Sequence, residues 1–276
     1  MNYPGILVFI ASQRTGTSAF HRALRLTGQF AACYEVFYPV TDATVVPKGV
    51  DAAVFFGANF HRWYAAYPNK QSHWQQVLGD FFGYLCGQFT SRYVSLDFKY
   101  GQIEKLEALL NAPAGALVEF LNHNAIPVIH ITRQNAFKRY LSNQLINMKY
   151  KPSYTQEDNH NIHASLTIDT SKCMQDIQAY QQKVAIYREA LQGKPEGLEV
   201  SYESLFCNGK VNHEVVDFIN RHLNAEFASV ATDNIPTPVS YAACVANKHE
   251  IKKSELYARF GAMIDSVINY EDRGRL

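Results

Sequence analysis

The sequence predicts an α/β fold with a mostly parallel central sheet. Three observations predict it. Ile6–Ala11 (ILVFIA) is a continuous apolar, β-branched run of the kind that forms a strand buried on both faces. Residues 125–132 (AIPVIHIT) are a second such run. Between and after them, strand-like runs alternate with segments at helical spacing, which implies crossover helices joining parallel strands.

Taken in order, the Ile6–Ala11 strand breaks into a small-polar turn at residues 12–18, and apolar residues resume at helical spacing over 19–26. Residues 31–40 (AACYEVFYPV) form a second apolar segment with a single charge at Glu35. Residues 41–90 read as irregular and aromatic-rich, with a helical period from about His61 to Cys86 that breaks near Pro68. Tyr93–Lys99 (YVSLDFK) reads as a strand, residues 102–110 as a helix and residues 113–122 as a short helix. After the 125–132 strand a helix is expected from about Asn135, a good N-cap, to Met148. The polar stretch 150–165 reads as a mobile loop. Thr170–Leu191 carries a long amphipathic helix, residues 197–202 are strand-like, and His213–Leu223 and residues 254–268 are expected helices. With no internal repeat and no obvious linker, residues 1–276 read as a single domain.

Composition narrows the function classes. The chain has 276 residues, 47% of them hydrophobic, enough for a full core. Its 26 basic and 25 acidic side chains nearly balance, which argues against broad nucleic-acid or membrane-surface binding and makes any basic site local. Five cysteines (33, 86, 173, 207 and 244) show no C-x-x-C spacing, so neither a zinc site nor a disulfide framework is indicated. Their odd number favours a reducing compartment, and no apolar run approaches the ~20 residues of a membrane helix. No basic stretch precedes the first apolar segment, so a signal peptide is not expected and the chain reads as cytoplasmic.

The turn after the first strand carries the strongest chemical signal. Strand, tight turn and helix in that order gather free backbone N–H groups around one point, and the helix adds roughly half a positive charge there. That is an anion cradle, used most often for phosphate. Its register is not the usual G-x-x-x-x-G-K-[ST]. Here it reads Ala11-x-x-x-x-Gly16-Thr17-Ser18, so the first Gly and the Lys are both missing, and Arg14 stands two residues before the Gly. Without the Lys that reaches the β- and γ-phosphates, the chain is poorly equipped for triphosphate hydrolysis, yet it suits a compact anion beside Arg14. An ordinary βα turn with a surface Arg stays open as the plain alternative.

The 125–132 strand delivers Arg133 at the edge where open α/β sheets bind ligands. Ser142 lies about two turns into the next helix, roughly 10 Å along its axis. A planar Arg fork and a Ser hydroxyl together suit a phosphate monoester, although alone the pair could be surface residues.

The ordered set SQRTGTS (12–18), YEVF (34–37), FKYGQ (98–102), TRQNAFKRYLS (132–142) and SYESL (201–205) resembles the sulfotransferases that use 3′-phosphoadenosine-5′-phosphosulfate (PAPS). The closest likeness is to the bacterial carbohydrate branch that acts on nodulation factors and trehalose glycolipids. The resemblance covers residues 5–37 and 93–145 best, residues 197–206 less well, and neither 41–90 nor 207–276. It implies a P-loop-containing three-layer α/β sandwich with a mostly parallel sheet of about five strands. It also implies that Arg14, Thr15, Gly16, Thr17 and Ser18 bind the donor's 5′-phosphosulfate, that Arg133 and Ser142 bind its 3′-phosphate, and that no metal takes part.

By the same resemblance, Glu35 in CYEVF matches the general base of the carbohydrate branch. Among Tyr34, Val36 and Phe37 its carboxylate would be partly desolvated and its pKa raised; a carboxylate that merely pairs with an Arg is the alternative. The arylsulfotransferase branch uses a His, but His61, His73, His123 and His130 do not sit in its motif, and His130 reads as a satisfied core residue. Lys99 would neutralise the bridging oxygen of the leaving phosphate, or else be a snorkelling surface Lys. Tyr202, beside Glu203, would pack near the adenine or be core. Lys248, Lys252 and Lys253 are weak candidates for a donor-covering loop. The acceptor, a small molecule or glycolipid, would lie against the aromatic segment 41–90, with Trp63 and Trp74 the residues to test. A P-loop nucleotide or sugar kinase and a non-catalytic nucleotide-binding protein are the competing readings, and a homodimer stays open.

Overall fold

A computed structural model describes residues 5–39, 51–147, 165–232 and 241–269. The elements in chain order are β1 (Ile6–Ala11), α1 (Thr17–Leu26), β2 (Phe30–Glu35), α2 (Ala52–Gly57), α3 (Phe60–Ala66), α4 (Trp74–Gln88), β3 (Tyr93–Lys99), α5 (Tyr100–Leu109), α6 (Ala116–His123), β4 (Val128–Thr132) and α7 (Ala136–Asn147). There follow α8 (Thr170–Leu191), β5 (Gly197–Ser201), α9 (Tyr202–Leu205), β6 (Phe206–Cys207), β7 (Lys210–Val211), α10 (His213–Leu223), α11 (Tyr241–Cys244), α12 (Lys248–Lys252) and α13 (Glu255–Ile268).

The chain forms two compact units. The first, Met1–Thr132 with Ile186–Asp233, holds a five-stranded, all-parallel sheet in the order β2-β3-β1-β4-β5, with helices on both sides. The α/β class and the parallel sheet therefore match what the alternation of strands and helices predicts. β1 is central, and all six of its residues have no exposed surface, which is why its sequence is apolar throughout rather than alternating. One face carries Leu7, Phe9, Ile129 and Ile131 against Phe20 and Leu24 of α1 and Val215 and Ile219 of α10. Phe9 stacks on Phe20 with centroids 4.7 Å apart. The other face sets Phe98 on Phe37 at 4.7 Å, Phe37 near Phe81 of α4 at 5.8 Å, and Tyr100 on Tyr187 at 4.8 Å.

The second unit, Arg133–Ala185 with Asn234–Leu276, is held by its own contacts. Leu166 bridges to Val245, and the Asn247 amide pairs with both backbone groups of Ile168 at 2.8 and 2.9 Å. Asn135 donates to the Met263 carbonyl at 3.0 Å, tying the start of α7 to α13.

Within residues 41–90 the helical period expected from about His61 to Cys86, broken near Pro68, matches α3 and α4, and the irregular reading is corrected at α2. Asp51 accepts from the N–H groups of Ala53 and Val54 to start α2, and Asn59 accepts from Arg62 to start α3. At 6 residues α2 is too short to show a period, so only its cap could have announced it. Residues 40–50 and 150–164, the latter most of the expected mobile loop, lie outside the described residues.

Candidate functional site

In a parallel sheet the C-terminal ends of all strands share one edge, and the sequence-predicted groups of the first unit cluster there. After β1 the chain turns through two left-handed residues, Arg14 at φ 65° and Gly16 at φ 82°. Thr15 is buried between them and its hydroxyl donates to the Ser12 carbonyl at 2.8 Å, closing the turn. Gly16 serves as N-cap of α1 without any side-chain cap, and the first turn of the helix holds no acidic residue. A Cβ at Gly16 would fall on the ring of Tyr202, so both φ and space demand glycine. Tyr202 thus packs directly on the turn. Ser18, one residue into the helix, is exposed.

Beneath the turn runs a buried polar seam between α1 and β3. Strand alternation puts Ser95, Asp97 and Lys99 on one face of β3, while Thr17 and His21 share one face of α1. Lys99 Nζ donates to Thr17 Oγ1 at 2.6 Å and to Asp97 Oδ2 at 2.7 Å. Exposure of these three residues is 6%, 3% and 1%, so this is an ion pair withdrawn from water, not a surface contact. His21 Nδ1 meets Ser95 Oγ at 2.8 Å. Burial pushes the His21 pKa down to about 3, with Asp97 opposing and Lys99 adding to the shift, so the imidazole is neutral at pH 7. Among the described residues, Asp97 Oδ1 and His21 Nε2 are buried without a hydrogen-bond partner. Native proteins leave few such atoms.

Glu35 ends β2 beside this seam. The ladder with β3 shifts register between Ala32 and Tyr34, and Tyr34 takes φ 54°, which brings Glu35 opposite Asp97. Gln102 Nε2 donates to Glu35 Oε2 at 2.7 Å, while its Oε1 accepts from the Lys99 N–H at 3.1 Å. One amide therefore ties the carboxylate to the end of β3. Burial, with help from Asp97, raises the Glu35 pKa above its usual range, and Lys99 and Gln102 pull against the shift. A carboxylate with a raised pKa holds a proton more readily than an ordinary one, and a buried ammonium beside it can stabilise an anion.

Arg133 and Ser142 belong to the second unit. Both are buried, Arg133 at 8% exposure and Ser142 at 6%. The Tyr180 hydroxyl clamps the Arg133 backbone, accepting from its N–H at 2.6 Å and donating to its carbonyl at 3.1 Å. Arg139 lies over the Tyr180 ring at 4.5 Å and pairs with Asp176.

His130 is fully buried, with Nε2 meeting the Tyr100 hydroxyl at 2.7 Å and Nδ1 the Glu199 carboxylate at 3.0 Å, so it is a satisfied core residue. His61 contacts the Phe37 carbonyl at 3.2 Å, and His73 and His123 lie at helix ends. Trp63 stacks on Tyr67 at 4.5 Å and lies 5.2 Å from Phe81, and Trp74 is buried at the start of α4. Lys252 and Lys253 are exposed at the end of α12. A groove of about 640 Å³ lined by Val118, Asn122, His123, Lys194 and Glu196 opens at the opposite, N-terminal edge of the sheet and includes none of the residues around the turn.

Asp97 and Gln102 are the site residues that sequence reasoning missed. The signal for Asp97 was present, since YVSLDFK places its polar residues at alternate positions, an expensive pattern for a buried strand. No protein-family model matches the chain, and no curated protein is significantly similar to it. Among the described residues, no helix is long and apolar enough to cross a membrane.

Proposed function

We propose that the chain is a PAPS-dependent sulfotransferase acting on a hydroxyl of a carbohydrate or glycolipid. The observation that carries this reading is a buried ammonium, Lys99, held on the hydroxyl of Thr17 in an uncapped glycine turn, with a raised carboxylate, Glu35, tied through Gln102 to the backbone of the same lysine. The turn suits an anion because its two left-handed residues orient successive N–H groups and the α1 dipole adds to them. Arg14, Thr15, Gly16, Thr17 and Ser18 would hold the 5′-phosphosulfate, and Tyr202 would flank it. The 3′-phosphate is assigned to Arg133 and Ser142, as the resemblance implies. The odd number of cysteines, all of them free, supports a reducing compartment, the cytoplasm.

In this reading the acceptor oxygen forms a bond to sulfur while the bond from sulfur to the donor's bridging phosphate oxygen breaks. The acceptor proton goes to Glu35, and the charge that grows on the leaving phosphate is met by Lys99 and the turn N–H groups. The products are a sulfate ester and 3′-phosphoadenosine 5′-phosphate (PAP).

A nucleotide or sugar kinase is the second reading, and Asp97 favours it. Such sites hold Mg²⁺ between a loop Ser/Thr and a strand carboxylate, and Thr17 and Asp97 are residues of those types facing one point. The Lys99 ammonium already bridges them, which counts against it.

The test is a thermal shift with PAP against ATP–Mg²⁺, followed by transfer from labelled PAPS to a panel of sugars. Saturating PAP at 100 times its dissociation constant is expected to stabilise by ~2.7 kcal/mol. Stabilisation by ATP–Mg²⁺ alone supports the kinase. PAP binding without transfer to any sugar supports a binding protein. Because the base form of Glu35 is required and its pKa is raised, transfer is expected to fall with acid at a midpoint above the ordinary 4.5.

A further inference from the structure

We propose that Lys99 is a built-in replacement for a divalent cation: its ammonium occupies a two-oxygen site, formed by Thr17 and Asp97, that is otherwise laid out for a metal. This deepens the reading above and rests on it only for the nature of the anion bound.

The geometry is that of a coordination site with nitrogen at its centre. Thr17 Oγ1 lies 2.6 Å and Asp97 Oδ2 2.7 Å from Nζ. The hydroxyl comes from the first residue of the helix that follows the anion turn, and the carboxylate from the neighbouring parallel strand. Those are the sources of a Mg²⁺ site in nucleotide-hydrolysing loops. Mg²⁺ prefers oxygens at about 2.1 Å, whereas an ammonium donates across the 2.6–2.7 Å seen here. Asp97 is 1% exposed and its Oδ1 has no hydrogen-bond partner among the described residues. A carboxylate so placed keeps unused acceptor capacity that a metal or its water shell would take up. Among the described residues, Thr17 and Asp97 take two of the three Nζ hydrogens, leaving one for an anion in the turn. Asp97 is then a positioning residue, fixing Nζ under Thr17. Ammonium and carboxylate together are net neutral, where a divalent ion on the same carboxylate would leave one positive charge, and the lower charge suits a sulfuryl group better than the more highly charged γ-phosphate.

Removing the ammonium should therefore uncover the metal site. The experiment measures Mn²⁺ binding by electron paramagnetic resonance to the native chain, to Lys99→Ser and to Lys99→Ser/Asp97→Asn, all without nucleotide. Lys99→Ser is expected to bind Mn²⁺ at least ~10-fold more tightly than either other protein, since carboxylate and hydroxyl oxygens suit this ion. Folding of Lys99→Ser only when Mn²⁺ is supplied counts equally in favour. A Lys99→Ser chain that folds without gaining Mn²⁺, or that stays unfolded with Mn²⁺ present, overturns the proposal, as does equal binding by the native chain. In a separate arm, PAP affinity of the native protein is expected to change less than ~2-fold between EDTA and excess Mg²⁺; a Mg²⁺ requirement overturns the proposal. If PAP fails to bind under both conditions while Lys99→Ser gains Mn²⁺, the donor assignment falls and the cation site stands.

Discussion

The first unit buries two polar clusters around two histidines, one on each face of its sheet, and they are built on opposite principles. On the α1 face, His21, Ser95, Asp97, Lys99 and Thr17 form a seam that ends under the anion turn and leaves Asp97 Oδ1 and His21 Nε2 without partners among the described residues. On the other face, Tyr100, His130, Glu199 and Arg188 form a chain in which both ring nitrogens of His130 are engaged. Arg188 closes it with bonds of 2.7 and 3.0 Å to Glu199. A buried polar network adds rigidity when complete and costs stability when incomplete. The complete one ends in solvent at a half-exposed Arg; the incomplete one ends where a ligand would sit. Under the proposed function, the difference separates a cluster kept for packing from one kept for chemistry.

The sharpest break between them is kinetic. Glu35→Ala is expected to lower sulfate transfer by about 10²–10⁴-fold while PAP binding survives, because a positioned base contributes that much. His130→Phe is expected to leave the rate per folded molecule within about 3-fold, since no reacting group depends on it. Single-turnover transfer from labelled PAPS checks both; a transfer rate in Glu35→Ala equal to the native one removes Glu35 as base.

Next in size is stability. Asp97→Ala leaves the Lys99 ammonium buried without its counterion, and breaking such a pair costs about 3–5 kcal/mol. Urea denaturation measures it. A cost below ~1 kcal/mol would mean that the seam is hydrated and the pair behaves as a surface contact.

The third test uses pH. His21 has a folded pKa of about 3 against 6.5 unfolded, so the unfolded chain binds the extra proton between those values. Stability from this residue is full above pH 6.5 and declines as pH falls toward 3. From pH 7 to pH 5 the native chain should lose about 2 kcal/mol more than His21→Leu does. Equal losses would show that His21 reaches water when folded.

The sequence foreshadowed these two faces unequally. β1, β3, α8 and α10 were readable to within a residue, because unbroken apolar runs and long helical periods report burial directly. Glu35, Lys99 and the turn were readable from their order along the chain, and Gly16 from its place before the helix. Asp97 could have been found by asking why a strand with Leu96 and Phe98 on one side spends three positions on polar residues. The His130 cluster could not. Glu199 and Arg188 lie 69 and 58 positions away, and nothing in VIHIT states that a carboxylate will arrive from β5. The α2 helix was hidden for a different reason: it is 6 residues long and is started by one Asx cap, Asp51. Local period predicts elements, whereas satisfaction of buried polar atoms is decided by partners that topology supplies.

The smallest expected effect probes the edge of the satisfied cluster. Glu199 has its pKa held down to about 2, first by the hydrogen bond to His130 and then by Arg188, so its contribution is present above about 4.5 and lost as pH falls through 2. Because the His130 contact leads, Arg188 should be dispensable. Its side chain is 56% exposed, and exposed ion pairs typically contribute under ~1 kcal/mol. Arg188→Met is therefore expected to cost less than ~1 kcal/mol in urea denaturation. Glu199→Gln, which weakens the acceptor for a fully buried imidazole, should cost about 1–3 kcal/mol. The two values reversed would mean that the Arg188 end holds the chain together, and that the second cluster is organised from its surface inward.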